Sequence, residues 1–164
     1  MASVEIVELT RNSRKHYEMV VGAMVRIEKK LFPKHESLAK SFEEELSKKN
    51  CGLLYLKING DDNDDDDVGG YVMYSWPSSL LASITKLAVK ERYQRQGHGE
   101  ALLRAAIQKC RTRNIQRVRL HVDPSRAAAL SLYLKLGFQI DELIEHYYSS
   151  DRNAYRMYLD FNDN

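Results

Sequence analysis

A chain of 164 residues, 43% hydrophobic and 29% charged with a net charge of +2, has a globular composition and the length to bury one core. Its two cysteines, Cys51 and Cys110, lie far apart without metal-ligand spacing, which argues against a disulfide frame or a metal site and for a cytoplasmic or nuclear setting. No apolar run approaches a membrane span, and the opening Met-Ala-Ser-Val-Glu does not read as a secretory signal.

Val4 to Leu9 reads as a first strand, and Thr10, Asn12 or Ser13 can cap the helix that follows to about Lys30. Tyr17, Val20, Val21, Met24, Val25 and Ile27 give that helix an apolar face. Leu31-Phe32-Pro33 ends it, because proline disfavours helix at the residue before it. Ser37 to about Lys48 is a second, charged helix with Leu38, Phe42 and Leu46 at four-residue spacing. Two strands follow, Gly52–Ile58 and Val68–Tyr74, joined by an acidic loop over about 59–68 that self-repulsion leaves mobile. Setting its six acidic residues aside leaves 25 basic against 17 acidic, +8 for the remainder. Such a body suits a polyanionic cofactor. The absence of zinc-finger or aromatic RNA-binding motifs argues against nucleic acid.

Trp76 to Ser79 reads as a turn and Leu81 to Val89 as the fourth strand. Gln94-Arg95-Gln96-Gly97-His98-Gly99-Glu100-Ala101 then runs into an amphipathic helix from Ala101 to about Arg111. A strand, a Gln/Arg/Gly turn and a helix N-terminus read as an anion site, with free N–H groups, the helix dipole and arginine charge acting together; the alternative is a plain helix N-terminus that happens to contain two glycines. Glycines at 97 and 99 let a phosphate approach the backbone. The turn lacks the Gly-Lys-Ser/Thr of a nucleotide P-loop and the third glycine of a dinucleotide fingerprint. Gln116 to Val122 alternates as a fifth strand, and Asp123-Pro124-Ser125 opens a helix from Arg126 to about Leu136 that Gly137 stops. Strands over Phe138–Tyr147 and Ala154–Phe161, joined by 148–153, complete an α+β order of β-α-α-β-β-β-α-β-α-β-β. The chain, 1–164, reads as one domain with a frayed tail at 162–164.

Taken together, Leu87-Ala88-Val89, the glycine turn, Leu120-His121-Val122, Ala128-Ala129-Leu130-x-Leu132-Tyr133, Gly137-Phe138 and Tyr147-Tyr148 resemble the GCN5-related N-acetyltransferase (GNAT) family over nearly the whole chain. Within it the chain is most similar to the protein N-terminal acetyltransferases, the catalytic subunits of the A and E complexes and the bacterial ribosomal-protein acetyltransferases. The resemblance implies a mainly antiparallel seven-stranded sheet with about four helices, splayed between strands four and five. It implies acetyl-CoA as donor, with the pyrophosphate on Gln94, Arg95, Gln96, Gly97, His98, Gly99, Glu100 and Ala101. Pantetheine is expected along Leu87, Ala88 and Val89, with Arg126 and Tyr133 also at the cofactor. Two departures stand out. Arg126 replaces the asparagine common at the start of the fourth helix, and Ser83 replaces the E-type enzyme's strand-four tyrosine.

Acetyl transfer to an amine needs a held donor, a neutral amine, a stabilised oxyanion and a proton for the leaving thiolate. A backbone N–H near Val89 is placed to serve the oxyanion. His121 is the candidate general base, alone or through water, facing the splay if the strand bulges or ends there; the alternative is a packing histidine. Tyr133 is the candidate acid, or an aromatic core residue. Phe32, Pro33, Tyr147 and Tyr148 are candidates for the acceptor site, with a helix-breaking turn and a strand-end aromatic pair as the plain readings. His98 is expected to face solvent, His35 to have a surface role, and both cysteines to be structural, so that the amine attacks directly. The acceptor is then a peptide or protein N-terminus, alternatively a lysine or a small amine such as a polyamine. A non-catalytic acyl-CoA-binding module is the remaining reading. An auxiliary subunit or a homodimer is compatible with all three.

Overall fold

The computed structural model describes residues 3–32, 37, 42–59 and 68–161. Pro33, His35, Leu38, the acidic tract and the tail at 162–164 lie outside the described residues.

Strand β1 (Ser3–Glu8) leads to helix α1 (Arg14–Leu31). Of the three candidate caps it is Ser13 that serves, accepting from the His16 N–H at 3.3 Å. Val20, Val21, Met24 and Ile27 fall on one stripe and are buried, each worth about 1.5–3 kcal/mol on the scale for a fully buried aliphatic side chain. Helix α2 (Phe42–Ser47) buries Phe42 edge-on against Tyr71, with ring centroids 5.5 Å apart. Strands β2 (Cys51–Asn59), β3 (Val68–Ser78) and β4 (Leu81–Val89) form an antiparallel meander. Trp76 and Pro77 belong to β3 rather than to a turn. An irregular register between Ser75 and Ser78 accommodates the proline, and the chain reverses at Ser79-Leu80.

A single 3₁₀ turn (Glu91–Tyr93), not expected from sequence, precedes helix α3 (His98–Thr112). Strand β5 (Arg117–Val122), helix α4 (Ala127–Lys135), and the long hairpin β6 (Gln139–Ser149) and β7 (Arg152–Asp160) complete the fold. The expected 148–153 connection shrinks to the turn at Ser150-Asp151, because both strands run on past it.

The seven strands form one sheet in the order β1-β2-β3-β4-β5-β7-β6. α1 and α2 cover one face through Tyr55, Tyr71 and Met73. α3 packs on the other through Leu102, Leu103, Ala106 and Ile107. The parallel β4–β5 pair holds only at Ala82↔Val118 and Ser83↔Arg119. Beyond Ser83 the two strands part, as the resemblance implied.

One irregularity in β4 decides what each of its residues faces. Met73 pairs with Lys86 and Tyr74 with Ile84, so Thr85 is an extra, bulged residue whose hydroxyl donates to the Met73 carbonyl at 3.0 Å. Before the bulge Ala82 and Ile84 face α3. After it Leu87 and Val89 face α3, while Ala88 joins the α1 core and Lys86 reaches toward α1. Strict alternation would have put Lys86 in the α3 core.

Candidate active site

The turn after β4 is braced by its own glutamines. The Gln94 side-chain amide donates to the Val89 carbonyl at 2.8 Å and the Gln96 amide to the Arg92 carbonyl at 3.1 Å. Arg95 and Gly97 both take left-handed conformations, at φ 62° and 83°. Only glycine does so without strain, and a Cβ at 97 would meet nothing within 4 Å, so its side is open to a ligand. α3 begins at His98, earlier than the expected Ala101, with Gly97 as an N-cap that offers no side-chain hydrogen bond. The N–H groups of His98, Gly99 and Glu100 are therefore the first-turn donors; the Ala101 N–H is the first to close the helix, on the Gly97 carbonyl at 3.0 Å. The Glu100 carboxylate is turned away, bonded to Lys135 at 2.7 Å and Arg104 at 3.2 Å, and Lys135 foremost holds it below its ordinary pKa. His98 is partly buried. These donors, with Arg95 beside them, fit a pyrophosphate, and the unpaired edge of β4 past Ser83 fits the amides of a pantetheine arm.

Gly70 was missed from sequence. A Cβ there would lie 2.6 Å from the Ala88 carbonyl oxygen and 3.1 Å from the Val89 Cα. β3 thus supports the end of β4 by close backbone contact.

Past the splay, a cleft of about 90 Å³ brings together Phe32, Leu87, His121, Arg126, Tyr133 and Tyr148. Residues from five different elements or their flanks meet there. β5 reaches it without a bulge and ends one residue past His121, at Val122, the second of the two expected arrangements. Val118, Leu120 and Val122 pack inward, and plain alternation turns Arg119 and His121 to the opposite face, with regular pairing at His121↔Arg156. His121 is half-buried, and its pKa lies below the ordinary 6.5, first through burial and then through the Arg119 and Arg156 charges. It is a neutral imidazole at physiological pH, as a base must be.

Tyr147 lies flat on His121, with ring centroids 4.4 Å apart at 10°, and Tyr148 stands edge-on to Tyr147 at 4.9 Å. A large bulge in β6 makes this possible. Ile144 pairs with Ala154 but Ser149 with Arg152, which leaves extra chain on the β6 side. His146 takes φ 58° within it; its N–H donates to Asn153 Oδ1 at 3.0 Å and its Nδ1 to the Ser150 carbonyl at 2.6 Å. That histidine, unremarked in the sequence, ties the bulged segment just before the two tyrosines to Ser150 and Asn153.

Tyr133 is partly buried, edge-on to Phe138 at 6.0 Å, and burial raises its pKa, so the hydroxyl keeps its proton. No described residue hydrogen-bonds that hydroxyl. α4 is anchored by Asp123, which accepts from the Ser125 N–H and hydroxyl and from Arg152 at 2.9 Å. The Cys51 thiol and the Cys110 thiol, at about 11, both have raised pKa values through burial and are poor nucleophiles. Sequence reasoning also missed Lys86 and Glu28. Glu28 is fully buried on α1, takes the Tyr71 hydroxyl proton in a hydrogen bond, and lies 3.9 Å from the Lys86 ammonium. Lys86 sits 3.7 Å above the centre of the Phe32 ring and lines the cleft beside it.

An open sheet splayed between β4 and β5, with a glycine turn running from the end of β4 into α3, is the architecture of an acyl-CoA-dependent N-acyltransferase. The acetyltransferase (GNAT) family pattern matches residues 21–138, and the chain belongs to that family. It is an acetyl-CoA-dependent N-acetyltransferase. An N-alpha-acetyltransferase of Sulfurisphaera tokodaii is 35% identical over 71% of this chain and 73% of its own. The ribosomal protein bS18-alanine N-acetyltransferase of Escherichia coli is 40% identical over 41% of this chain and 45% of its own. The crystal structure of the Escherichia coli ribosomal-protein-S18-alanine N-acetyltransferase superposes with a TM-score of 0.81 at 25% identity, over 99% of this chain and 96% of that one. Arabidopsis thaliana NAA60, solved with acetyl-CoA, shares the fold at a TM-score of 0.81 and 16% identity, over 98% of this chain and all (100%) of that one.

Proposed function

We propose that the chain acetylates the α-amine of a peptide or protein N-terminus, by direct attack of the amine while both substrates are bound. The observation that carries this reading is the aromatic wall of Tyr147 and Tyr148 against His121 at the mouth of the splay. It shapes an entrance for an extended chain end, and a second groove of about 440 Å³ continues from it past Arg119. The similarity to an N-alpha-acetyltransferase and to ribosomal-protein alanine acetyltransferases supports the same acceptor.

Acetyl-CoA supplies a reactive thioester. The N–H groups of His98, Gly99 and Glu100, with Arg95, bind its pyrophosphate, and the main chain of Leu87 and Val89 binds the pantetheine arm. A backbone N–H near Val89 meets the charge that develops on the acetyl oxygen. His121 takes a proton from the attacking amine. An α-amine has a reference pKa near ~8 against ~10.4 for lysine, so a weak base suffices to keep it neutral. Tyr133 gives its proton to the departing sulfur. Phe32 walls the first acceptor side chain, held in place by the Lys86 ammonium over its face.

The test is a panel of short peptides with different first residues, a histone-tail peptide and spermidine, with the acetyl position mapped by mass spectrometry. Acetylation confined to α-amines supports the proposal. Acetyl on lysine side chains or on spermidine alone would overturn it, and tight acetyl-CoA binding with no transfer would indicate a binding module.

A further inference from the structure

We infer that Arg119 is a specificity-determining residue that binds an acidic side chain at the second or third position of the acceptor peptide; this rests on the α-amine reading above. Arg119 shares a face of β5 with His121, two residues away, or about 6.6–6.8 Å along the strand. It lines the 440 Å³ groove that opens from His121 and Tyr148.

Its guanidinium is under-used. Nη2 donates to Ser83 Oγ at 3.0 Å, a neutral partner. Nε is buried without a hydrogen bond, the one such side-chain nitrogen or oxygen among the described residues. Arg119 makes no ion pair among them either. The other charged side chains described on the groove wall, Lys48 and Glu45, pair with each other at 2.7 Å and cancel. Among the described residues the groove therefore carries one uncompensated positive charge. A buried donor left unmade is costly, and a planar fork of two N–H groups matches a carboxylate better than any other side-chain ligand. The described residues hold the head by the Ser83 bond alone. Turning the Nε edge into the groove gives up that one neutral bond and gains two charge-assisted ones.

The spacing selects the acceptor position. An extended peptide advances about 3.3–3.6 Å per residue. With its amine at His121, its second or third side chain comes level with Arg119. Ser83 matters here too: the small side chain leaves room on β4 for the guanidinium that a tyrosine would fill.

The test uses the full chain with saturating acetyl-CoA and peptides that differ only as Glu or Gln at position two or position three. Wild-type protein should favour Glu by about tenfold or more in kcat/KM, chiefly through KM, the range of a charge-assisted hydrogen bond. Arg119→Gln should bring the ratio to within about twofold by slowing the acidic peptide. Arg119→Lys, which keeps charge without the fork, should retain part of it. α-Acetylation at equal rates by wild-type protein, or a preference that survives Arg119→Gln, overturns this inference alone. Acetyl on lysine side chains, or on no peptide, overturns the α-amine reading and this inference with it. Should Arg119→Gln fail to fold, the wild-type ratio and Arg119→Lys still decide.

Discussion

The stack of Tyr147 on His121 is expected to help lower the imidazole's pKa, and this can be measured without knowing the substrate. The ring lies 4.4 Å from the imidazole at 10°, and burial is the first cause of the lowered His121 pKa. Tyr147→Ala uncovers the imidazole and returns its pKa toward 6.5. At 6.5 roughly three quarters of the imidazole is neutral at pH 7 and roughly one quarter at pH 6. Titration alone then costs the variant at most about a quarter of its activity at pH 7 and about fourfold at pH 6, less where the Arg119 and Arg156 charges still hold the pKa down. Wild-type protein, with the lower pKa, loses less at both. Any further loss from misorientation of the ring is independent of pH and separates out. Tyr147→Phe keeps the stack and should keep the wild-type value. The assay is an NMR titration of the His121 ring protons, assigned with His121→Ala, beside kcat at pH 5.5 to 9 with one peptide. The acceptor's own titration is common to all variants and cancels. Stability follows the same linkage: the unfolded chain binds the His121 proton more readily than the native one. Stability therefore falls as pH drops through 6.5 toward the native pKa, and Tyr147→Ala narrows that window. An unchanged His121 titration in Tyr147→Ala would refute the reasoning.

His121→Ala should lower kcat at least about tenfold, and near wild-type turnover from pH 6 to 9 would remove it from the mechanism. Tyr133→Phe should lower kcat with little change in acetyl-CoA KM, whereas full turnover would show that the hydroxyl is dispensable. Gly70→Ala forces a methyl group to within 2.6 Å of the Ala88 carbonyl, so β4 must shift where the donor lies; a raised acetyl-CoA KM, read by steady-state kinetics, is expected. Lys86→Met leaves the Glu28 carboxylate buried without its ammonium and should cost about 3 kcal/mol in urea unfolding, the low end for a broken buried pair because Tyr71 still bonds Glu28. Adding Glu28→Gln should recover part of that loss, and additive losses would show that the two do not interact.

The order of strands and helices, the ends of α1 and α4, and the glycine turn were legible because each rests on near neighbours in sequence. Ser13 caps the helix it precedes, Pro124 and Gly137 bracket α4, and the turn's left-handed positions fall beside its own glutamine braces. Alternation in β5 placed His121 opposite the core at the strand's end, one of the two arrangements the sequence offered. Residues 38–41 of the expected second helix, Pro33 and the acidic tract fall outside the described residues. The boundaries that moved did so for tertiary reasons. β3 runs through Trp76-Pro77 because Trp76 packs on Tyr74 at 5.5 Å and under Arg113 at 4.0 Å.

The sequence by itself determined the family and the glycine turn that leads into α3, since a turn at a helix N-terminus is a local property of a few consecutive residues. Only the tertiary structure decided which residues meet in the cleft. The bulge at Thr85 turns Lys86 toward Glu28 and Leu87 toward the cleft, and the bulge around His146 lays Tyr147 on His121. Each bulge is a register difference between two strands, and a single strand's residues carry no record of the partner's register. The orphan Nε of Arg119 arises in the same way: its want of a partner is a fact about β4, β5 and the groove together, and no run of neighbouring letters encodes it.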